Sequence, residues 1–284
     1  MRITNKYNLP KALVKAVEND TYSKGESDYS TTQLSNPSRQ VALIKRHWDD
    51  IEVDVSDMIY ALLGKIGHAI LEHSGMSDFI EKRFFHTFGD TIISGQVDVI
   101  EGSVLSDWKF TSVGSVKGGV KFEWEAQASI NAYLAEANGV HITKAEYTAL
   151  FRDHSKQKVK RSFDYPEVPA RTFIVPIWDK QKTESYVHSR IKSHKDAEWN
   201  LPECTDDERW FKGDKFAVMK KGGKKALSPL HPTMESAKVF ISNHKDKPLL
   251  KIEERKGGNM RCEDYCMAAP FCEQFKKLKA ASES

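Results

Sequence analysis

The chain is poor in the features that mark several large classes of protein. It has only 4 cysteines and a net charge of +3 in 284 residues, and no apolar run long enough to span a membrane. Residues 1–17 lack the apolar core of a signal peptide and are interrupted by Pro10, so we expect a reducing compartment, where disulfides are rare. The composition, 39% hydrophobic and 29% charged, is that of a globular protein with one large domain or two small ones.

Two adjacent segments rich in β-branched and aromatic residues predict a β-hairpin. Residues 91–100 and 103–110 flank Glu101-Gly102, which reads as a two-residue turn. That turn would set Asp98 opposite Leu105, and directly opposed residues share a face of the sheet. Because side chains alternate with period two, Asp107 and Lys109 share the face of Leu105. We therefore expect Asp98, Asp107 and Lys109 to converge, unless the register slips by one residue.

The segment before the hairpin predicts a helix over residues 55–73. Its apolar residues recur at helical spacing, at Ile59, Leu62, Leu63, Ile66 and Ile70. His68 falls on another face of this helix, one turn beyond Gly64. Small residues on that face would let the helix approach a sheet, with the imidazole available as a metal ligand.

These residue types suit hydrolysis of a phosphodiester bond. That reaction needs a hard cation to activate water and to neutralise charge on the phosphoryl oxygens. Carboxylates supply the oxygen ligands that Mg²⁺ prefers, and a lysine beside them would stand close to the cation. Each motif alone is short enough to occur by chance. The argument for a catalytic site depends on the order in which the motifs follow one another along the chain.

Together the motifs resemble the RecB-like branch of the PD-(D/E)xK nucleases. Members of that family carry a G-x-x-x-H-x-x-L-E helix, a G-x-x-D strand, a D-x-K strand and a helix with a glutamine. The matching residues here are Gly64, His68, Leu71 and Glu72, then Gly95 and Asp98, then Asp107 and Lys109, and finally Gln127. The family usually follows its glutamine with a tyrosine four residues later; here Asn131 stands in that place, with Tyr133 two residues further on.

The resemblance implies a fold and a set of roles. The fold would be α/β, an α+β mixed sheet with the core order αβββαβ. His68, Asp98 and Asp107, with the carbonyl of Trp108, would bind Mg²⁺ or Mn²⁺. Lys109 would orient or activate the attacking water and stabilise the transition state, and Gln127 would belong to the same catalytic group.

The four cysteines form a second motif. Cys262, Cys266 and Cys272 are clustered as C-x3-C-x5-C, and Cys204 lies apart. Such thiolates suit zinc or an iron-sulfur cluster, and spacing alone does not choose between them. By resemblance, AddB-type and CRISPR-adaptation nucleases hold a 4Fe-4S cluster with one distant cysteine and three near the carboxy terminus, so we expect a 4Fe-4S cluster, with Zn²⁺ as the alternative. Here the distant cysteine follows the nuclease motifs, whereas in the family it precedes them.

The same reading divides the chain into three parts. Residues 1–37 predict a polar segment, flexible or draped over the core; residues 38–200 would hold the nuclease core; residues 201–284 would form a small cysteine-rich module with a hairpin at Gly222-Gly223. A mobile loop at residues 112–121, with Lys117 and Lys121, could track DNA phosphates.

The sequence thus predicts a metal-dependent DNA exonuclease acting in recombination or DNA end processing. The expected location is the cytoplasm of a bacterial or phage-infected cell, with DNA as partner and no membrane. Two alternatives stay open. One is an endonuclease of the same fold, either a restriction or a junction-resolving enzyme. The other is a non-catalytic nucleic-acid-binding protein with a structural metal cluster.

Overall fold

The computed structural model describes residues 1–19, 23–73 and 79–283 of a mixed α/β chain. It contains two compact units: residues 1–42 and 48–201 form the first, and residues 43–47 and 202–284 form the second. No helix within the described ranges is both long and apolar enough to cross a membrane.

The first unit is built on one mixed sheet with helices around it. In chain order its elements are β1 (Arg2–Thr4), α1 (Lys11–Glu18), β2 (Tyr29–Ser30), α2 (Thr31–Ser35), α3 (Ser38–Arg46, shared with the second unit), β3 (Glu52–Asp54), α4 (Val55–Glu72), β4 (Phe79–Phe88), β5 (Thr91–Glu101), β6 (Val104–Thr111), α5 (Phe122–Ala137), β7 (Lys144–Phe151), α6 (Lys156–Val159), β8 (Ala170–Val175) and α7 (Lys180–Asp196). From α4 to β7 the order is αβββαβ, as predicted.

The central strand of the sheet is β5. It pairs antiparallel with β4 along its length, and its other side is divided between two strands. Near its start it pairs with β2, at Ile93 and Ser94, and at its end it pairs with β6, from Val99 to Glu101. Strand β6 continues parallel to β7, and β7 pairs antiparallel with β8. Residues 95–98 of β5 therefore lie in a gap between β2 and the paired end of β6.

The register of the hairpin differs from the prediction. Ile100 pairs with Leu105 and Glu101 with Val104, so the turn is Gly102-Ser103. Gly102 has φ +57°, the left-handed conformation that tight hairpin turns require. The predicted partner of each β5 residue was wrong by two positions on β6. When the observed register is continued along the strands, Asp98 lies opposite Asp107. Two residues are one full period of a strand, so each side chain stays on its predicted face.

Helix α5 packs the core against this sheet. Ala126, Ile130 and Leu134 of α5 are fully buried, as are Leu105 and Tyr147 on β6 and β7. Gly95 of β5 allows the close approach, since a Cβ there would lie 2.2 Å from Oδ1 of Asn131 and 2.8 Å from Cδ1 of Leu134. The glycine of the G-x-x-D motif thus has a packing role.

Two segments are more ordered than the sequence indicated. Within residues 1–37, β2 extends the main sheet and Leu34 of α2 is completely buried, so residues 29–35 are folded into the first unit. The predicted mobile loop at residues 112–121 is held by buried Val113 and Val116, and the Val113 amide donates to Oδ1 of Asp153 at 2.8 Å. Apolar residues within a glycine-rich stretch account for this anchoring.

The second unit is small. It contains β9 (Lys215–Lys220), α8 (Met234–Ser242), β10 (Leu250–Arg255) and α9 (Glu273–Glu283). Strand β9 pairs antiparallel with β10, while the predicted hairpin partner contributes only one bridge, Ala226 to Met219. Val218, Ala237 and Leu250 form its buried core.

Candidate functional site

A connected group of polar side chains lies where β6 faces α5. Nζ of Lys109 lies 2.7 Å from Oδ2 of Asp107 and donates to Oε1 of Gln127 at 2.9 Å. Gln127 in turn donates from Nε2 to Oδ1 of Asp107 at 3.2 Å. Strand alternation puts Asp107 and Lys109 on one face, and α5 brings Gln127 to that face. The structure thus brings together three of the residues singled out in the sequence.

Asp98 joins this group because β5 and β6 are not paired along the gap. The Trp108 amide donates to Oδ2 of Asp98 at 2.7 Å. A strand N–H that would ordinarily join a ladder is therefore bonded to a carboxylate, which leaves the other oxygen, Oδ1, directed towards His68 at 3.5 Å. Asp98 is 7% exposed and Asp107 is 3% exposed, so both acids are largely withdrawn from water.

Helix α4 brings His68 to the site from the other side. Asp54, the residue before the helix, caps it: its side chain accepts from the Ser56 amide at 3.0 Å. The close approach of the helix to β6 occurs at Gly67, where a Cβ would lie 1.8 Å from the Phe110 ring. Gly64, which the sequence suggested for this role, has open space around it. The side chain of Glu72, the last residue of the helix motif, lies outside what the structure describes.

One member of the site, Glu81, has no counterpart in the sequence motifs. Oε1 of Glu81 lies 3.4 Å from Nδ1 of His68. One ligand atom each from His68, Glu81 and Asp98 all lie within 4.8 Å of one another, so this trio could hold a metal ion. Only the pairing of β4 with β5 reveals Glu81, because it sets Ile80 and Lys82 opposite Val99 and Val97 and so leaves Glu81 opposite Asp98.

The electrostatics of the trio favour added positive charge. Burial raises the pKa of Asp98 to about 7, and the charge of Asp107 adds to the rise. Pairing with Glu81 raises the pKa of His68, and the same pairing lowers the pKa of Glu81. Two buried oxygens, Oε1 of Glu81 and Oδ2 of Asp107, make no hydrogen bond among the described residues, and each has an ion-pair contact instead: Nδ1 of His68 lies 3.4 Å from Oε1, and Nζ of Lys109 lies 2.7 Å from Oδ2. An imidazole nitrogen with carboxylate oxygens suits a divalent cation such as Mn²⁺, so the residues present fit the predicted metal.

Tyrosines occupy unexpected positions around this group. Tyr133 lies elsewhere, donating to Glu184 at 2.7 Å and packing on Phe88. Tyr147, which pairs with Asp107 across β6 and β7, is fully buried, and the Lys109 ammonium lies 5.1 Å from its ring centroid. Burial, with the charges of Asp107 and Asp98, raises the pKa of Tyr147 well above its usual value. The Lys109 ammonium therefore packs over a neutral tyrosine ring.

The two lysines predicted to contact DNA, Lys117 and Lys121, lie before α5 and at its start. Lys117 is exposed, just beyond a short 3-10 helix. Lys121 is half-buried at the start of α5, with Nζ 5.6 Å from the Trp124 ring centroid.

All four cysteines are described by the structure and belong to the second unit, and none of them forms a disulfide bond. Burial raises the pKa of Cys262 to about 11, and the neighbouring Cys266 and Cys272 add to that rise. The backbone of Cys204 is tied to Gln274, two residues beyond Cys272, by hydrogen bonds of 2.8 and 2.9 Å. Among the described residues, no three cysteine sulfurs lie within 4.8 Å of one another.

Comparison with known proteins adds little to this geometry. No protein-family model matches the chain, and no curated protein matches it. Among solved structures the chain is similar to one described as the crystal structure of SSO0001, at 19% identity over 63% of this chain and 83% of that chain, with a TM-score of 0.44. A similarity of this size supports no assignment of family, so the function has to be argued from the site.

Proposed function

We propose that the chain is a metal-dependent DNA exonuclease of the RecB-like PD-(D/E)xK type, acting in recombination or DNA end processing. The observation that carries this proposal is the position of Lys109, held between Asp107 at 2.7 Å and Gln127 at 2.9 Å. Asp98 and His68 lie beside that group and supply further metal-ligand atoms. The order αβββαβ and the gap between β5 and β6 at Asp98 support the same assignment.

Each side chain has a task in hydrolysis. Bound Mg²⁺ or Mn²⁺, held by His68, acidic side chains and the Trp108 carbonyl, would supply water activation and charge neutralisation. Lys109, fixed by Asp107 and Gln127, orients the attacking water and offsets negative charge on the phosphoryl oxygens. The water oxygen forms a bond to phosphorus and gives its proton to solvent, while the bond to the departing oxygen breaks and that oxygen takes up a proton. The products are a phosphate end and a hydroxyl end.

DNA binding belongs to the same proposal. Lys117 is exposed and Lys121 stands at the start of α5, the helix that carries Gln127, so both could contact phosphates beside the site. Location in the cytoplasm of a bacterial or phage-infected cell also remains part of the proposal.

For the cysteines we propose a 4Fe-4S cluster that stabilises the second unit. Thiolates bind both zinc and iron-sulfur clusters, and the resemblance to nucleases with one distant and three clustered cysteines favours the cluster. The ties between Cys204 and Gln274 keep the distant cysteine beside the segment of Cys272.

The test is a paired cleavage assay. End-labelled linear DNA and closed circular DNA are incubated with Mn²⁺ or with EDTA, using wild type, Lys109→Ala and the control Lys144→Ala, which removes an exposed lysine from β7. We expect Mn²⁺-dependent loss of linear DNA only, reduced at least about 100-fold in Lys109→Ala because a group acting on the transition state is gone. Lys144→Ala should cleave like wild type.

The other outcomes separate the alternatives. Cutting of the circle would favour the endonuclease of the same fold. Absence of cleavage by folded wild-type protein that binds Mn²⁺ would favour the non-catalytic nucleic-acid-binding protein. Full activity in Lys109→Ala would contradict the assigned site.

A further inference from the structure

Glu81 has an unusual backbone for a strand residue. Its φ is +49°, and among the described residues only Asn8 and Trp210 share a positive φ without being glycine. A residue with a Cβ is strained in this conformation, and such strain persists only where the surroundings impose it. Here it occurs within β4, between Ile80 and Lys82, which keep their pairing with β5. A strained residue in an otherwise regular strand points to a role for its side chain.

A hydrogen bond from a neighbouring side chain orients the Glu81 carboxylate through Oε2. Gln96 donates from Nε2 to Oε2 of Glu81, and Arg83 donates to the carbonyl oxygen of the same Gln96 side chain. Arg83 is itself fixed by donating to Oγ of Ser94 at 3.1 Å. The other oxygen, Oε1, is buried, makes no hydrogen bond among the described residues and lies 3.4 Å from Nδ1 of His68. Carboxylates that bind metals are commonly oriented in this way by neighbours that hold the non-ligating atom.

The two aspartates differ in the group that their second oxygen faces. Asp98 uses Oδ2 to accept from the Trp108 amide and directs Oδ1 towards His68. Asp107 accepts from Gln127 at Oδ1, and its Oδ2, which like Oε1 of Glu81 makes no hydrogen bond among the described residues, lies 2.7 Å from the Lys109 ammonium. Glu81 and Asp98 each direct one oxygen to the space beside Nδ1 of His68.

We propose that Glu81 is a ligand of the catalytic cation, together with His68 and Asp98. This deepens the proposed function, because it concerns the same site. It adds Glu81 to the ligand set that the resemblance implied. Gln96 and Arg83 become positioning residues for the cation.

The test is calorimetric titration of the full-length protein with Mn²⁺. Glu81→Gln keeps the shape of the side chain and removes its charge, and Glu101→Gln makes the same change at an exposed position of β5. We expect Glu81→Gln to bind Mn²⁺ about tenfold or more weakly than wild type, while Glu101→Gln stays within a few-fold of it. Wild-type affinity in Glu81→Gln would overturn the proposal.

A second variant separates ligation from a structural ion pair with His68. Glu81→Asn places a residue tolerant of positive φ at the strained position. If Glu81 is a ligand, the metal-free melting temperature of this variant should equal or exceed that of wild type, and the rise caused by Mn²⁺ should disappear. A lower metal-free melting temperature with the Mn²⁺ rise intact would overturn the proposal. If wild type cleaves no DNA but its Mn²⁺ binding depends on Glu81, the nuclease assignment fails and the ligand assignment stands.

Discussion

His194 is a buried histidine outside the candidate site, and its environment has a consequence for stability. It is 3% exposed within α7, with Nε2 3.3 Å from the carbonyl oxygen of Leu34 and the Arg190 guanidinium beside it. Burial, followed by the charge of Arg190, lowers the pKa of His194 to about 4. The folded protein therefore keeps this imidazole neutral at pH values where the unfolded chain already binds a proton.

We expect this histidine to contribute to acid unfolding. Its contribution to the free energy of unfolding is fully present above about pH 6.5, the usual histidine pKa, and is lost as the pH falls towards 4, by up to about 3 kcal/mol. His194→Gln keeps a side-chain N–H for Leu34 and cannot titrate, so its stability should fall less steeply between these pH values. Denaturant unfolding at several pH values measures the slope, with His141→Gln, a change at an exposed histidine, as control. Equal slopes in His194→Gln and wild type would contradict the assignment.

The residues of the candidate site differ in how far they could be predicted. Asp98, Asp107 and Lys109 converge as expected, although the register was wrong by two residues, because the face of a strand residue depends only on parity. Glu81 could not be predicted, because its position depends on the pairing of β4 with β5 and on a backbone turned to positive φ. Neither the strand pairing nor the backbone angle can be read from the amino-acid sequence.

At the scale of elements, the approach of α4 to β6 depends on one glycine. A Cβ at Gly67 would lie 1.8 Å from the Phe110 ring, whereas one at Gly64 would meet nothing within 4 Å. We expect Gly67→Ala to lower the free energy of unfolding by about 1–3 kcal/mol through overpacking, and to weaken Mn²⁺ binding by displacing the adjacent His68. Gly64→Ala should raise stability by about 0.5–1 kcal/mol, since alanine is the better helix former.

Denaturant unfolding and Mn²⁺ titration of the two alanine variants measure this pair of effects. The variants lie on the same helix and differ only in what surrounds the new methyl group, so helix propensity cancels between them. Equal stabilities would show that Phe110 moves aside freely and that the helix position is not fixed by Gly67.

Helix α4 also shows the limit of periodicity. The spacing of apolar residues predicted the helix itself, and its bounds are close to those expected. It did not predict which side meets the sheet, because Leu63, Ile66 and Ile70 are 45%, 47% and 68% exposed. The helix packs on the side where a small residue permits close approach to the sheet. The pattern of apolar residues along the sequence does not show which side that is.

At the scale of the whole molecule, the two units are not contiguous in sequence. Residues 43–47, at the end of α3, belong with residues 202–284. Within that unit the ring of His47 stacks on Phe271, with centroids 4.3 Å apart. A reading of composition along the chain divides it into successive stretches and therefore could not assign part of one helix to a distant module.

The two units also differ in the chemistry of their metal-binding side chains. The first unit offers imidazole nitrogen and carboxylate oxygen at His68, Glu81 and Asp98, a set suited to Mn²⁺. The second offers four cysteine thiols, a set suited to iron or zinc. Because hard and soft ligands select different metals, we expect the two sites to be loaded independently.

Paired variants measure that independence. In protein purified without oxygen, Cys266→Ser should lose iron and acid-labile sulfide and unfold at a lower temperature, because bound metal contributes to the stability of the folded state. Asp98→Asn should keep iron and sulfide at wild-type content and lose Mn²⁺ binding. Zinc in place of iron in the wild type would select the alternative metal at the cysteines. Iron, zinc and melting temperature all unchanged in Cys266→Ser would remove the cluster, since a thiolate ligand cannot be lost from a site that stabilises the fold without altering both metal content and stability.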